Sequence, residues 1–451
     1  MYLAYSFLLT LGFLFLLPRF IFDAFSHGKY IAGFRERLGS LPDVGDRRRP
    51  VVWIHCVSVG ETQAARPLVE RLRKEFPHHA LVVSTITLTG QKLARDVFKN
   101  EADRIIYFPF DWRWTVRRAL ANVNPIAVLI METELWPNFL RQCQLQRIPV
   151  CLINGRISHQ SFRRYRLIES FLKRVLDCLN LAVMQSEADA ERIRKLGLPP
   201  ERLFTSGNLK FDAGAISAAT STSVELRERF NIDDSALLIL AASTHAPEEK
   251  IILDSFQHLT LENQRPRLML APRHPERFQE VASLLEISGL TWARRTAPPQ
   301  LGDAQCNVIL LDTIGELTAA YPLAAIVFVG GSIANKGGHN VLEPAATGAP
   351  VVTGANTDNF EAIVSLLSDY RAIVQLPRLQ DQDAAGKLTE VLLELLRKPE
   401  LRKELGGRAK HLVALNQGAT DRTIKLISHL LSENSVTSSV VDPLSWKAPT
   451  S

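Results

Sequence analysis

The stretch FVGGSIANKGGHNVLEPAATGAPVVTG, Phe328 to Gly354, holds more potential chemistry than any other part of this sequence. A short apolar strand runs into two glycine pairs, Gly330–Gly331 and Gly337–Gly338, which let a backbone approach a ligand closely. Asn340 is a good N-cap, so a helix is expected to begin near it. The free N–H groups and positive dipole end of such a helix suit an anion, in particular a phosphate. Glu343, one turn further on, can accept hydrogen bonds from a ribose of the same ligand. One glycine pair alone reads equally as a tight strand–helix turn without a ligand. Two pairs followed by a carboxylate favour a nucleotide phosphate.

Other reactive side chains stand where strands give way to helices. In WIHCVSVGETQAARPL a strand ends at Ser58-Val59-Gly60, and Glu61 opens or precedes a helix. A carboxylate there can simply complement the helix dipole, or it can serve as a general base. In LIMETELWPNF, Glu132 and Glu134 follow the strand end at once. Unpaired buried charge is costly, so two acids there need a reason, and no His or Asp cluster accompanies them to suggest a metal. Lys210, in TSGNLKFD, follows the last strand of the first half. In LAPRHPERF, Arg273 can clamp a phosphate with two hydrogen bonds, and in LDTIGEL, Gly315 and Glu316 open another helix. His274 and His339 have no partner at metal-ligand spacing and read as polar lining.

The elements that must position these groups are short apolar strands alternating with amphipathic helices. Strands are expected at Val51–His55, Leu81–Thr85, Arg104–Phe108, Ala127–Met131, Val150–Asn154, Leu181–Gln185 and Leu203–Ser206. After a small, polar stretch they resume at Leu237–Ala242, Arg267–Ala271, Val308–Leu311, Ala325–Val329, Pro350–Thr353 and Ala372–Gln375. Continuous apolar strands separated by helices mean parallel sheets covered on both faces. The fold class is therefore α/β, with two doubly wound Rossmann-like domains and a ligand cleft between them. The expected boundaries are an anchor at 1–22, a first domain at 23–212, a linker at 213–223, a second domain at 224–432 and a mobile tail at 433–451.

A chain of 451 residues, 46% hydrophobic and 22% charged, is globular and needs more than one core. Its net charge of +6 demands no nucleic acid, and no aromatic-plus-basic module is visible. It favours an anionic substrate or membrane surface. The five cysteines are scattered without zinc or redox spacing, which points to a reducing compartment. Tyr2 to Pro18 is uncharged and mostly apolar, near the lower length limit of about 17 residues for a span. No basic residue precedes it and no small-residue cleavage site follows, which argues against a cleaved signal. Arg19, Lys29, Arg35 and Arg37 come after it, so a single anchor with everything beyond Arg19 on the cytoplasmic side is expected. Ser161 to Leu176 is basic on one side and apolar on the other, either a solvated helix packed on its sheet or a surface for anionic lipid.

Taken in order, SVGET, METELWPN, NGRIS, GNLKFD, STH, PRHPERF, DTIGEL and FVGGSIANKGGHNVLEPA resemble the 3-deoxy-D-manno-octulosonic acid (Kdo) transferases of lipopolysaccharide assembly. The resemblance runs from the N-terminal segment to about Gln417. It implies a GT-B glycosyltransferase on the cytoplasmic face of the inner membrane, using CMP-Kdo and a lipid A precursor (lipid IVA), without a metal. Carried onto this sequence, it makes Glu61 the proton acceptor and Glu132 and Lys210 transition-state stabilisers. It places CMP contacts on Pro272 and Arg273, on Ile314, Gly315 and Glu316, and on Asn340, Val341, Leu342 and Glu343. Pro344, in VLEPAA, is a mild departure from the family pattern and is compatible with a first helical turn. Another GT-B transferase or epimerase acting on a nucleotide sugar, or a binding protein without turnover, are the alternatives.

Overall fold

The computed structural model describes residues 1–27, 33–42, 48–213, 221–233, 236–261 and 266–436. Most of the expected linker (214–220) and tail (437–451) lies outside the described residues. The chain divides into two compact units, one of Met1–Ala213 with Asn416–Ser451, the other of Gly214–Leu415.

The first unit is built on a seven-stranded parallel sheet. Its strands are β1 (Val51–His55), β2 (Ala80–Thr85), β3 (Arg104–Tyr107), β4 (Pro125–Met131), β5 (Val150–Gly155), β6 (Leu181–Met184) and β7 (Leu203–Thr205). Their order across the sheet is β3-β2-β1-β4-β5-β6-β7. β1, β2, β4, β5 and β6 are almost wholly buried, as continuous apolar runs with helices on both faces must be. One face packs Trp53, Phe108, Phe139 and Leu176, the other Ile54, Leu68, Leu72 and Phe98. All five cysteines are buried free thiols.

The second unit repeats the plan with β8 (Leu238–Thr244), β9 (Arg267–Pro272), β10 (Trp292–Arg294), β11 (Val308–Leu310), β12 (Ile326–Val329), β13 (Val351–Thr353) and β14 (Val374–Gln375). The order is β10-β11-β9-β8-β12-β13-β14, again all parallel. β10 was not expected from the sequence, because three residues with a charged end carry no legible period.

The closing helices differ from the expectation in allegiance. Asp381–Arg397 and most of Pro399–Asn416 belong to the second unit, whereas Ala419–Val436 packs in the first. Ile424, Ile427 and Leu431 enter the first unit's core. The Asp212 carboxylate accepts hydrogen bonds from Gly418 N and Thr420 N, so a residue placed beside the expected linker caps the last helix instead. The boundary of the second domain at 432 is corrected accordingly.

The N-terminal run forms a helix, Tyr2–His27, with Pro18 inside it. Among the described residues, no helix is long and apolar enough to cross a membrane. One face of the N-terminal helix is docked on the first unit. Tyr5 Oη donates to Asp111 (3.0 Å), Asn138 Nδ2 donates to Ser6 Oγ (3.0 Å), Trp112 Nε1 donates to Thr10 Oγ1 (3.1 Å), and Phe13 packs on Phe110 and Trp112. Leu3, Phe7, Leu8, Leu11, Leu14 and Phe15 are exposed. The expected Ser161–Leu176 helix is two helices, His159–Arg166 and Glu169–Leu176, broken at Leu167–Ile168.

Candidate active site

The first unit gathers its acids at the carboxyl edge of the sheet. Ser58 caps the helix Val59–Glu75, two residues earlier than expected, and Glu61 sits at its third position. The two close a reciprocal cap: Glu61 N donates to Ser58 Oγ (3.4 Å), while Ser58 Oγ–H and Val57 N donate to the Glu61 carboxylate at 3.1 and 2.7 Å. Glu61 is only 6% exposed. Burial pushes its pKa up to about 8, against the pull of the Val57 N–H, and the charges of Glu132 and Glu134 add to the rise. A buried carboxyl with this pKa is a far better proton acceptor once ionised, because its conjugate acid is weaker.

Glu132 follows β4 directly with φ of 53°, a left-handed backbone that non-glycine residues seldom adopt. Lys210 reaches it from three strands away. The chain beyond β7 crosses the strand ends one at a time: Asn208 Nδ2 donates to Gln185 beyond β6, Leu209 N donates to Asn154 Oδ1 on β5, and Lys210 Nζ lies 3.9 Å from the Glu132 carboxylate. Burial first, and Glu132 next, raise the pKa of Glu134. Glu61, Glu132 and Lys210 are thus neighbours at this edge.

The second unit's edge is different in charge. Pro272 ends β9, and Arg273 N donates to Thr244 O at 3.0 Å. The exposed Arg273 guanidinium has no hydrogen-bond or ion-pair partner among the described residues. Ile314 is 82% exposed beside Gly315, whose φ is +90°. Glu316 is held by Arg295 at 2.9 and 3.0 Å and by Thr313. Burial raises its pKa, but these partners outweigh that and leave it lowered. The helix after the glycine stretch is Leu342–Thr347, with Val341 at its N-cap. Asn340 still serves that end, because its Oδ1 accepts from Leu342 N (3.0 Å) while its Nδ2 donates to Glu343 (2.9 Å). Glu343 also bonds the buried Tyr321 phenol.

The glycine loop itself departs from the expectation. Its amides are turned inward onto Glu248, a fully buried side chain that the sequence reading passed over. The Glu248 carboxylate accepts from the backbone N–H groups of His245, Gly331, Ser332, Ile333 and Ala334 at 2.8–3.2 Å. Gly330 is required for this approach, since a Cβ there would stand 2.8 Å from Glu248 Oε2. The glycine loop, expected to approach a ligand, thus gives its Gly331–Ala334 N–H groups to an internal carboxylate, while those of the helix end near Asn340, expected to meet the phosphate, are not among them. Arg273 and the Asn340–Glu343 turn remain to hold a ligand. The sequence signal for Glu248 was slight: a glutamate in the first turn after β8, eighty-three residues from Gly331.

Solved structures of similar fold include MurG from Acinetobacter baumannii (11% identity, TM-score 0.54, 84% of this chain and 99% of that one). Another is UDP-GlcNAc 2-epimerase from Neisseria meningitidis (15% identity, TM-score 0.54, 85% and 100%). With two parallel-sheet units of this topology, the chain has the α/β fold of the GT-B glycosyltransferases. Residues 32–213 match the family model described as 3-deoxy-D-manno-octulosonic-acid transferase (kdotransferase). The 3-deoxy-D-manno-octulosonic acid transferase of Haemophilus influenzae is 35% identical over 406 residues, 90% of this chain and 93% of that protein. The Bordetella pertussis protein of the same name is 32% identical over 385 residues, 84% and 87%. The chain belongs to the Kdo transferase family and is a glycosyltransferase.

Proposed function

We propose that this enzyme transfers Kdo from CMP-Kdo to a hydroxyl of a lipid A precursor, lipid IVA, in lipopolysaccharide assembly. The observation that carries the reading is the buried Glu61, with a pKa of about 8 and its acidic neighbours. As the acceptor oxygen attacks the anomeric carbon, its proton passes to Glu61. The new C–O bond forms while the bond to the CMP phosphate breaks with its electron pair, and the configuration inverts. Proton transfer accompanies bond formation, because a sugar hydroxyl is too weak an acid to ionise beforehand. Arg273 holds the departing phosphate's charge, a task that needs no metal in this scheme. Glu343, fixed by Asn340 and Tyr321, meets the ribose. Lys210 neutralises negative charge on the donor or leaving group, and Glu132 favours a developing oxocarbenium ion.

Incubation with CMP-Kdo and lipid IVA tests this, with CMP release and product mass as readouts. Equal CMP release and a Kdo-extended lipid are expected. Donor binding without a glycosylated product would mean that the fold serves binding or epimerisation instead.

The acceptor is amphipathic and anionic, which suits work at the cytoplasmic face of the inner membrane. The exposed apolar side of the N-terminal helix supports a helix lying in the membrane interface. Tyr2 and Tyr5 contact Phe171 on the helix Glu169–Leu176, and the helix before it carries exposed Arg163, Arg164 and Arg166 and ends at the exposed apolar corner Leu167–Ile168. Phe7→Asp with Phe15→Asp should release the protein from anionic vesicles and leave CMP binding intact. Undiminished vesicle binding would remove the helix from this role.

A further inference from the structure

Three motifs that lie far apart in sequence, STH, PRH and GGH, each deliver one histidine to the carboxyl edge of the second sheet. His245 Nε2 and His339 Nε2 are 2.8 Å apart, with ring planes only 10° from parallel, and His274 packs edge-on to His245 at 5.1 Å. The approach is built in. A Cβ at Gly331 would stand 2.8 Å from His339 Cδ2, and the backbone N–H of His245 donates to the Glu248 carboxylate at 3.0 Å. None of the roles given to the site above uses the pair.

At that distance one Nε2–H donates to the lone pair of the other ring. The neutral pair therefore has one Nδ1–H and one bare Nδ1. A single proton can be added at the bare Nδ1 with the inner bond intact. A second would set two N–H groups against each other and break it. The dyad is thus a slot for one positive charge. Basic groups dominate its surroundings: Arg273, Lys336 and Arg277 face it with the His274 ring. Of these, Arg277 is paired with Glu249 and Glu280, and His274 lies 3.9 Å from Glu276. Burial, then these neighbours, hold His245 down at about 4 and His339 at about 3, so the pair is neutral near pH 7 without a ligand.

We propose that His245 and His339 form a proton-accepting dyad of the donor site, which becomes cationic when an anionic nucleotide binds beside Arg273. The proposal rests on the CMP-donor reading above. An anion reverses the sign of the local field, and the uptake of one proton adds a hydrogen-bond donor that a free Arg273 alone does not provide.

Calorimetric titration of the full chain with CMP, in buffers of different ionisation enthalpy, counts the protons. Between about pH 8 and pH 6.5, uptake by the wild type should rise toward one per CMP. Cytidine, which lacks the phosphate, should bind with no uptake. His245→Asn and His339→Asn should each bind CMP with that uptake lost. The same CMP-linked proton count in wild type and variants, or none in the wild type at any of these pH values, overturns the dyad. Failure of the wild type to bind CMP at all would instead overturn the donor assignment on which it rests.

Discussion

Glu61 and Glu248 occupy equivalent places in two seven-stranded parallel sheets that share a central strand order and differ at their edges. Each lies in the first turn of the helix that follows the first strand of its sheet, and each accepts the backbone N–H of a residue at that strand's end, Val57 or His245. Their surroundings make them different groups. Glu248 receives five backbone N–H groups, which occupy both oxygens and leave it no capacity to exchange a proton with a substrate. Glu61 receives one N–H and one hydroxyl and faces two further acids. Burial pushes both carboxyls up. The number of N–H partners, more than the position in the fold, separates a reactive carboxylate from a structural one.

The largest way to break this contrast is to remove each carboxylate's capacity in turn. Glu61→Gln keeps the shape but cannot accept a proton, so turnover should fall by about 10²–10⁴-fold with CMP binding retained. Near-normal turnover, with deamidation excluded, would reverse the assignment. Glu248→Ala strands a row of inward N–H groups. It should destabilise the second unit by at least about 3 kcal/mol, the worth of two charge-assisted bonds, read in denaturant titration. A change within experimental scatter would mean that the loop holds its shape without the carboxylate.

Of the two carboxylates, only Glu61 carries a local sequence signal. Glu61 follows an apolar strand and the turn glycine Gly60, a local pattern legible within a few residues, whereas the Ser58 cap that starts the helix two residues earlier was not expected. Glu248 draws its meaning from Gly331 to Ala334, partners that no local spacing reveals. The same division holds elsewhere. Thirteen strands could be placed from apolar runs, because a doubly covered sheet leaves that trace, whereas β10 is too short and too polar to leave one. Lys210 was legible as a residue after the last strand of its unit. Its arrival at Glu132 depends on Asn208 and Leu209 stepping across β6 and β5, which is tertiary information. His245 lies in the short motif STH, and its contact with His339 spans 94 positions, beyond any local spacing.

In the second unit the sharper test separates phosphate from ribose. Arg273→Ala removes the exposed guanidinium and should cost CMP about 1.5–3 kcal/mol of binding, leaving cytidine unchanged. Glu343→Ala should weaken both ligands. Equal losses for cytidine and CMP on Arg273→Ala would move Arg273 away from the phosphate.

The smallest effect is a pH profile. With Glu61 at about 8, only about a tenth of the free enzyme carries the ionised base at pH 7. kcat/KM should therefore climb roughly tenfold per unit below that midpoint and level off above it. Without a nucleotide the histidine pair titrates at about 4 and 3, and varying the acceptor at saturating CMP-Kdo keeps its nucleotide-linked proton out of the profile. Asp111, pushed up to about 7 by burial, falls closer but acts in the opposite sense. A carboxyl raised in the folded state lends stability that is complete below its unfolded pKa and is lost as pH rises through 7, so it cannot produce a rising limb. Glu134→Gln discriminates further. Its negative charge is one cause of the Glu61 shift, so its removal should move the midpoint to lower pH and leave the plateau in place. A profile that is flat from pH 6 to 9, or a midpoint that Glu134→Gln leaves unmoved, would take the proton acceptor away from this acidic edge.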